Sequence, residues 1–146
     1  MRLVVCKEIP VRLPSSRLGR LFDIVVRGET GTGRDATVNL IVCSDARVRS
    51  LNRRYRSIDR PTDVLSFNLD PINASESVFG EIYIAMPYVR RQAERLGRSL
   101  ADEFLLLFCH GLLHLFGHDH DTPARERAMF ARQKRYLLAI ESRRPR

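Results

Sequence analysis

The chain has 146 residues, 44% of them hydrophobic and 29% charged, which describes one globular domain able to bury a core without disulfide or metal staples. No apolar run approaches the roughly 20 residues that cross a bilayer. MRLVVCKEIPVR meets charge and proline too early for a secretory signal, and Cys6, Cys43 and Cys109 are too scattered for a disulfide framework. Secretion and membrane spanning are set aside, and a cytoplasmic protein carrying a net charge of +8 is expected to meet a polyanion.

In chain order, RLVVCKEI at 2–9 is a first strand. Pro14-Ser15-Ser16 opens a helix with Leu18, Leu21, Phe22 and Val25 at helical spacing, and Gly28 to Gly33 (GETGTG) is a turn. Ala36 to Cys43 is a β-branched strand, and Ser44 caps a helix through about Tyr55 with Val48, Leu51 and Tyr55 as its stripe. Pro61-Thr62-Asp63 leads into the strand VLSFNL. After the loop DPINASES comes the strand VFGEIYIAM at 78–86. Pro87 begins a helix that ends near Gly97, and Ser99 caps a long apolar helix ending at Gly117. Pro123 opens the last helix, which fades into RRPR. This order predicts a single α+β or α/β domain over 1–146, a small mixed β-sheet packed by helices.

Only Lys7 and Lys134 are lysines, so the positive charge is almost wholly arginine, whose planar fork suits phosphate. Codon usage in a GC-rich genome explains the same skew. Placement adds information. Residues 99–122 lack Lys and Arg, whereas 47–60 and 123–146 are rich in arginine, so a neutral-to-acidic strip is bracketed by basic segments. Both basic segments are candidates for contacts to a nucleic-acid backbone, although charge runs are also ordinary solvated helix faces.

All four histidines lie in one stretch, H-G-L-L-H-L-F-G-H-D-H, as His110, His114, His118 and His120. His110 and His114 are four apart on a predicted helix and project from one face. Gly117 can take positive φ and reverse the chain, so that His120 returns beside them. A lone histidine on an apolar helix is ordinarily a core residue. Two at i and i+4, then a glycine and a third, instead describe a three-imidazole zinc site with an open position. His118 is an alternative ligand to His120, but it directly follows the glycine with less chain in which to fold back, and is read as a rim residue. Asp119 either holds a histidine's other nitrogen or makes an ordinary turn. Cys109 lies about 100° round the helix from His110 and should pack in the core.

The spacing H-x3-H-x5-H matches that of metzincin proteases, but Gly111 stands where their catalytic glutamate would be. A metallopeptidase would lack its general base.

HGLLHLFGHDH at 110–120, LNRRYRSIDRPTDVLSF at 51–67 and FGEIYIAM at 79–86 together make the chain resemble the YbeY family of bacterial rRNA maturation factors, which are metal-dependent endoribonucleases. The resemblance implies zinc on His110, His114 and His120, and a functional arginine at Arg56 in the Y-R-x-x-D segment. Arg56 and His114 become the candidate catalytic residues. It also implies a cytoplasmic, single-strand-specific nuclease acting on ribosomal RNA and the small ribosomal subunit, in 16S rRNA 3′-end maturation, quality control and ribosome biogenesis. No DNA or membrane partner is expected. Gly80-Glu81 matches a family position where aspartate is commoner, and His118 replaces a residue that is often aromatic.

Chemically, a metal with an open position polarises a phosphoryl oxygen, and Arg56 would clamp a non-bridging one. Asp63 is a candidate base or partner to the metal site, or a capping residue. Ser66 and Asn68 alternate with Leu65, Phe67 and Leu69 and are candidates to line the cleft edge. The competing reading is an assembly factor with little or no catalysis and a structural zinc, closed by Asp119, Asp121 or Cys109 as a fourth ligand.

Overall fold

The computed structural model describes residues 1–31, 35–69 and 78–141. Within them run β1 (Arg2–Lys7), α1 (Ser15–Thr30), β2 (Thr37–Cys43), α2 (Asp45–Arg56), β3 (Val64–Asn68), β4 (Val78–Ala85), α3 (Met86–Leu96), α4 (Leu100–Leu115) and α5 (Pro123–Glu141). The sheet order is β1-β2-β4-β3. β1, β2 and β4 are parallel, and β3 runs antiparallel along the edge of β4. The α+β expectation with a small mixed sheet holds.

Alternation along the strands divides the core in two. Val38, Leu40, Val42, Ile82 and Ile84 face a large cluster with α1, α4 and α5. Ile41, Cys43, Leu65, Tyr83 and Ala85 face the other way, onto Val48 of α2. Because β2 and β4 are covered on both faces, they read as continuous apolar runs rather than as alternation. α4 is the central helix. It buries Phe104, Leu105, Phe108, Leu112 and Leu113, each contributing about 1.5–3 kcal/mol.

Local signals set most boundaries. Ser44 Oγ accepts from Arg47 N–H at 3.2 Å, and Ser99 Oγ accepts from Asp102 N–H at 3.1 Å, each satisfying an orphan donor of the first turn. Gly97 closes α3 in the left-handed region at φ 66. Three expectations shift. α1 runs on through Glu29 to Thr30, so Gly28 lies in its last turn and not in a loop. Helical packing overrides the glycine there: a Cβ on Gly28 would sit 2.3 Å from Tyr136 Oη, so α1 and α5 meet where that atom is missing. β1 stops at Lys7, and Met86 belongs to α3. The loop DPINASES, the end of GETGTG and the terminal RRPR lie outside the described residues.

Candidate metal centre

α4 ends in a hydrogen-bonding pattern that requires a glycine. Gly117 N–H donates to His114 O at 3.0 Å and His118 N–H to Leu113 O at 3.1 Å. Gly117 itself sits at φ 93, the left-handed ending that satisfies the last carbonyls. Asp119 Oδ1 then accepts from His120 N–H at 2.7 Å, which tightens the return. Asp119 thus makes the turn, while its charge also acts on His114.

The result is a cluster. Ligating atoms of His110, His114 and His120 all lie within 4.8 Å of one another, with His120 exposed and the other two half-buried. Nε2 of His110 and Nε2 of His114 are 3.1 Å apart. His110 Nδ1 lies 3.2 Å from Gln133 Oε1. An amide oxygen only accepts, so the ring proton sits on Nδ1 and the Nε2 lone pair is left for a cation. Burial first, then the neighbouring His114, holds His110 below its ordinary pKa. Burial and then His120 do the same to His114. Both rings are neutral at neutral pH, the form that binds metal. The donor set therefore fits a borderline divalent cation such as zinc.

No fourth protein donor joins these three among the described residues. Asp121 pairs with Arg125 at 3.2 Å. Cys109 is fully buried, and burial pushes its thiol up to about 12. The His118 ring is not part of this group, and its Nε2 meets Glu29 Oε1.

Beside the cluster, Asp63 Oδ1 accepts from Val64 N–H at 2.8 Å, a local cap, and its Oδ2 accepts from Gln92 at 3.2 Å. The same Gln92 amide nitrogen donates to Glu103 at 3.1 Å, and Arg98 pairs with Glu103. Asp63 therefore has the capping role and also a field that acts on His110.

Arg56 is the last residue of α2. Its position is set by Ser57, which caps the helix in the left-handed region at φ 59, and by Asn52, whose Nδ2 donates to Arg60 O at 2.9 Å. The Arg56 charge reaches His114. Other arginines of the segment are engaged elsewhere. Arg49 pairs with Asp59, Arg47 with Glu8, and Arg54 lies over the Tyr55 ring at 5.3 Å. Among the described residues, Arg53, Arg56 and Arg60 form no ion pair.

The two sheet-edge candidates are both held by α4. Ser66 Oγ donates to Gly111 O at 3.0 Å and Asn68 Nδ2 donates to Leu115 O at 2.9 Å. Both side chains are tied to α4, because their strand face is the one on which α4 packs. Glu81 shares the opposite face with Tyr83 by alternation, whereas Gly80 is pressed against Leu115 of α4. Gly111 also explains the missing protease glutamate. A Cβ there would lie 2.9 Å from Ser66 Oγ and 3.1 Å from Ile82 Cγ2, so this position faces the sheet and not the histidines.

Gln133 and Glu29 were not singled out from the sequence. Gln133 was legible as a polar residue on the buried stripe Met129, Gln133, Tyr136, Ile140 of α5. Glu29, in a segment read as a turn, gave no signal.

The family model described as Endoribonuclease YbeY matches residues 7–141. A protein of Moorella thermoacetica named Endoribonuclease YbeY is 41% identical over 138 residues, covering 88% of each chain. One of the same name from Chloroherpeton thalassium is 31% identical over 140 residues and covers 96% of each. The solution structure of TM1509 from Thermotoga maritima superposes with a TM-score of 0.64 at 32% identity, covering 94% of this chain and 88% of that one. With the match running from Lys7, the last residue of β1, to the end of α5, this chain belongs to the YbeY endoribonuclease family.

Proposed function

We propose that the protein is a zinc-dependent, single-strand-specific endoribonuclease of the cytoplasm that matures the 3′ end of 16S rRNA on the small ribosomal subunit and serves ribosome quality control and assembly. The observation that carries this reading is the His110–His114–His120 cluster, open on its His120 side, with Arg56 close enough for its charge to act on His114. A cation held by these three rings would supply Lewis acidity toward a phosphoryl oxygen or a water.

The chain's own groups account for the rest. Gln133 keeps the His110 proton on Nδ1, and burial keeps His110 and His114 neutral. Arg56 is free to take two non-bridging phosphate oxygens in its fork and to stabilise charge that grows there. Asp63, tethered by Gln92, adds a negative field next to His110. RNA brings its own nucleophile in the 2′-hydroxyl, so a glutamate at position 111 is not required. The net charge of +8 favours a polyanionic substrate.

The test is single-turnover cleavage of a small-subunit rRNA 3′-end fragment by metal-quantified protein, beside Arg56→Ala and His114→Ala. Arg56→Ala should lose about 10²–10³-fold in rate while still binding zinc and RNA, and His114→Ala should lose zinc together with activity. A 2′,3′-cyclic phosphate on the product would identify the 2′-hydroxyl as the attacking group. Equal cleavage by all three proteins would assign the activity to a contaminating nuclease or to another part of the chain, defeat the reading, and favour an assembly factor with little or no catalysis of its own.

A further inference from the structure

Glu29 is an acid where its own helix disfavours one. It lies in the last turn of α1, at the negative end of the helix dipole, and its side chain is only 6% exposed. Such a charge persists only if other elements compensate it. Here three groups do so. Oε1 meets His118 Nε2, while Oε2 accepts from Arg132 at 2.9 Å and from the Tyr136 hydroxyl. Burial alone would raise the Glu29 carboxyl, but the bonds from Tyr136, His118 and Arg132 hold it below the ordinary 4.5. It is therefore a carboxylate at neutral pH. The close approach of Tyr136 depends on Gly28, one residue before.

These partners lead to the metal centre from two sides. His118 lies two residues before His120, in the turn that carries this third, exposed histidine. The other polar side chains of that turn bond locally: Asp119 to His120 N–H, Asp121 to Arg125, and Thr122 to Arg125 N–H. Only His118, among its described residues, reaches a distant element by hydrogen bond. Arg132 immediately precedes Gln133, which orients His110.

We infer that Glu29 is a positioning residue of the metal centre, holding the His120 turn through His118 and the Gln133 segment of α5 through Arg132. The inference rests on the reading of the three histidines as a metal site. Its physical content is preorganisation: a turn already fixed in the apo protein loses little freedom when His120 closes on a cation, so affinity is higher. Groups bonded directly to a metal ligand change affinity by about 10–100-fold when removed, and Glu29, which acts through His118 and Arg132, is expected at the lower end of that range.

The experiment is a chelator competition that measures zinc affinity for wild type, Glu29→Gln, His118→Ala, His118→Gln, Tyr136→Phe and the Glu29→Gln/His118→Ala double variant, with thermal unfolding recorded for each. Glu29→Gln and His118→Ala should each weaken zinc binding by about tenfold or more, and the double variant should be no weaker than the worse single one. His118→Gln, which keeps an N–H donor toward Glu29, should recover most of the affinity. Tyr136→Phe leaves the His118 contact intact and should lower stability with less than about a threefold change in affinity. Zinc affinity unchanged in both Glu29→Gln and His118→Ala overturns the inference and leaves Glu29 as a packing group. Should Glu29→Gln fail to fold, the partly exposed His118 pair decides by itself. Failure of wild type to bind zinc would instead defeat the metal-site reading, a distinct result that takes the inference with it.

Discussion

Asn52 joins the end of α2 to the loop behind it, donating to Arg60 O while its own carbonyl accepts from Ser57 and Ile58 N–H. Asn52 is only 4% exposed, and Asn52→Leu removes the donor to Arg60 O, a loss that should cost about 0.5–1.5 kcal/mol in urea unfolding. RNA cleavage should fall while zinc content stays, since the loss falls on the Arg56 end of the helix and not on α4. Glu29 carries a second expectation, in pH. Its folded-state pKa lies below the unfolded value near 4.5, so its stabilising contribution is complete above that value. That contribution is lost as pH falls through the lowered folded value. Wild type should therefore lose more stability than Glu29→Gln as pH is taken from about 6 to about 3, measured by denaturant titration at each pH. Neither residue stood out in the sequence. Both sit on polar contacts that make sense only when remote segments meet: Glu29 and His118 are 89 positions apart.

α4 is an element whose existence was legible and whose seating was not. The Ser99 cap, the apolar run and Gly117 define its ends from neighbouring residues alone, as local hydrogen bonding does for any helix. Its approach to the sheet depends on two glycines. A Cβ on Gly80 would stand 2.6 Å from Leu115 Cδ2 and 2.9 Å from Phe67 O, and one on Gly111 would stand 2.9 Å from Ser66 Oγ. Overpacking of this kind costs about 1–3 kcal/mol. Gly80→Ala should be the worse of the two in thermal unfolding, because a backbone carbonyl cannot swing aside. Gly111→Ala recovers part of its loss as helix propensity, about 1 kcal/mol. Gly111→Glu should destabilise the helix–sheet contact and confer no peptidase activity, since its side chain starts toward Ile82. The motif spacing of a metalloprotease was readable, but only packing against β3 shows which way position 111 points.

On the scale of the whole molecule, the metal centre stitches α4 to the turn before α5, so a bound cation should act on global stability. Zinc at a hundred times its dissociation constant should add about 2.7 kcal/mol to unfolding free energy, and chelation should lower the melting temperature by the corresponding amount. RNA binding should weaken steeply with salt, with a log–log slope of about −0.7 for each phosphate neutralised. Arg53→Gln should make that slope shallower by about one phosphate contact. By itself the sequence determined the elements, the arginine-rich helix and the histidine triad's spacing, because capping, periodicity and a glycine reversal act within a few residues. The tertiary structure alone decided that β3 lies antiparallel at the sheet edge, that Ser66 and Asn68 are tied to α4, that Glu29 meets His118 and that Gln133 meets His110. Those outcomes depend on which faces pack together and on buried polar groups finding partners far along the chain, which no local propensity encodes.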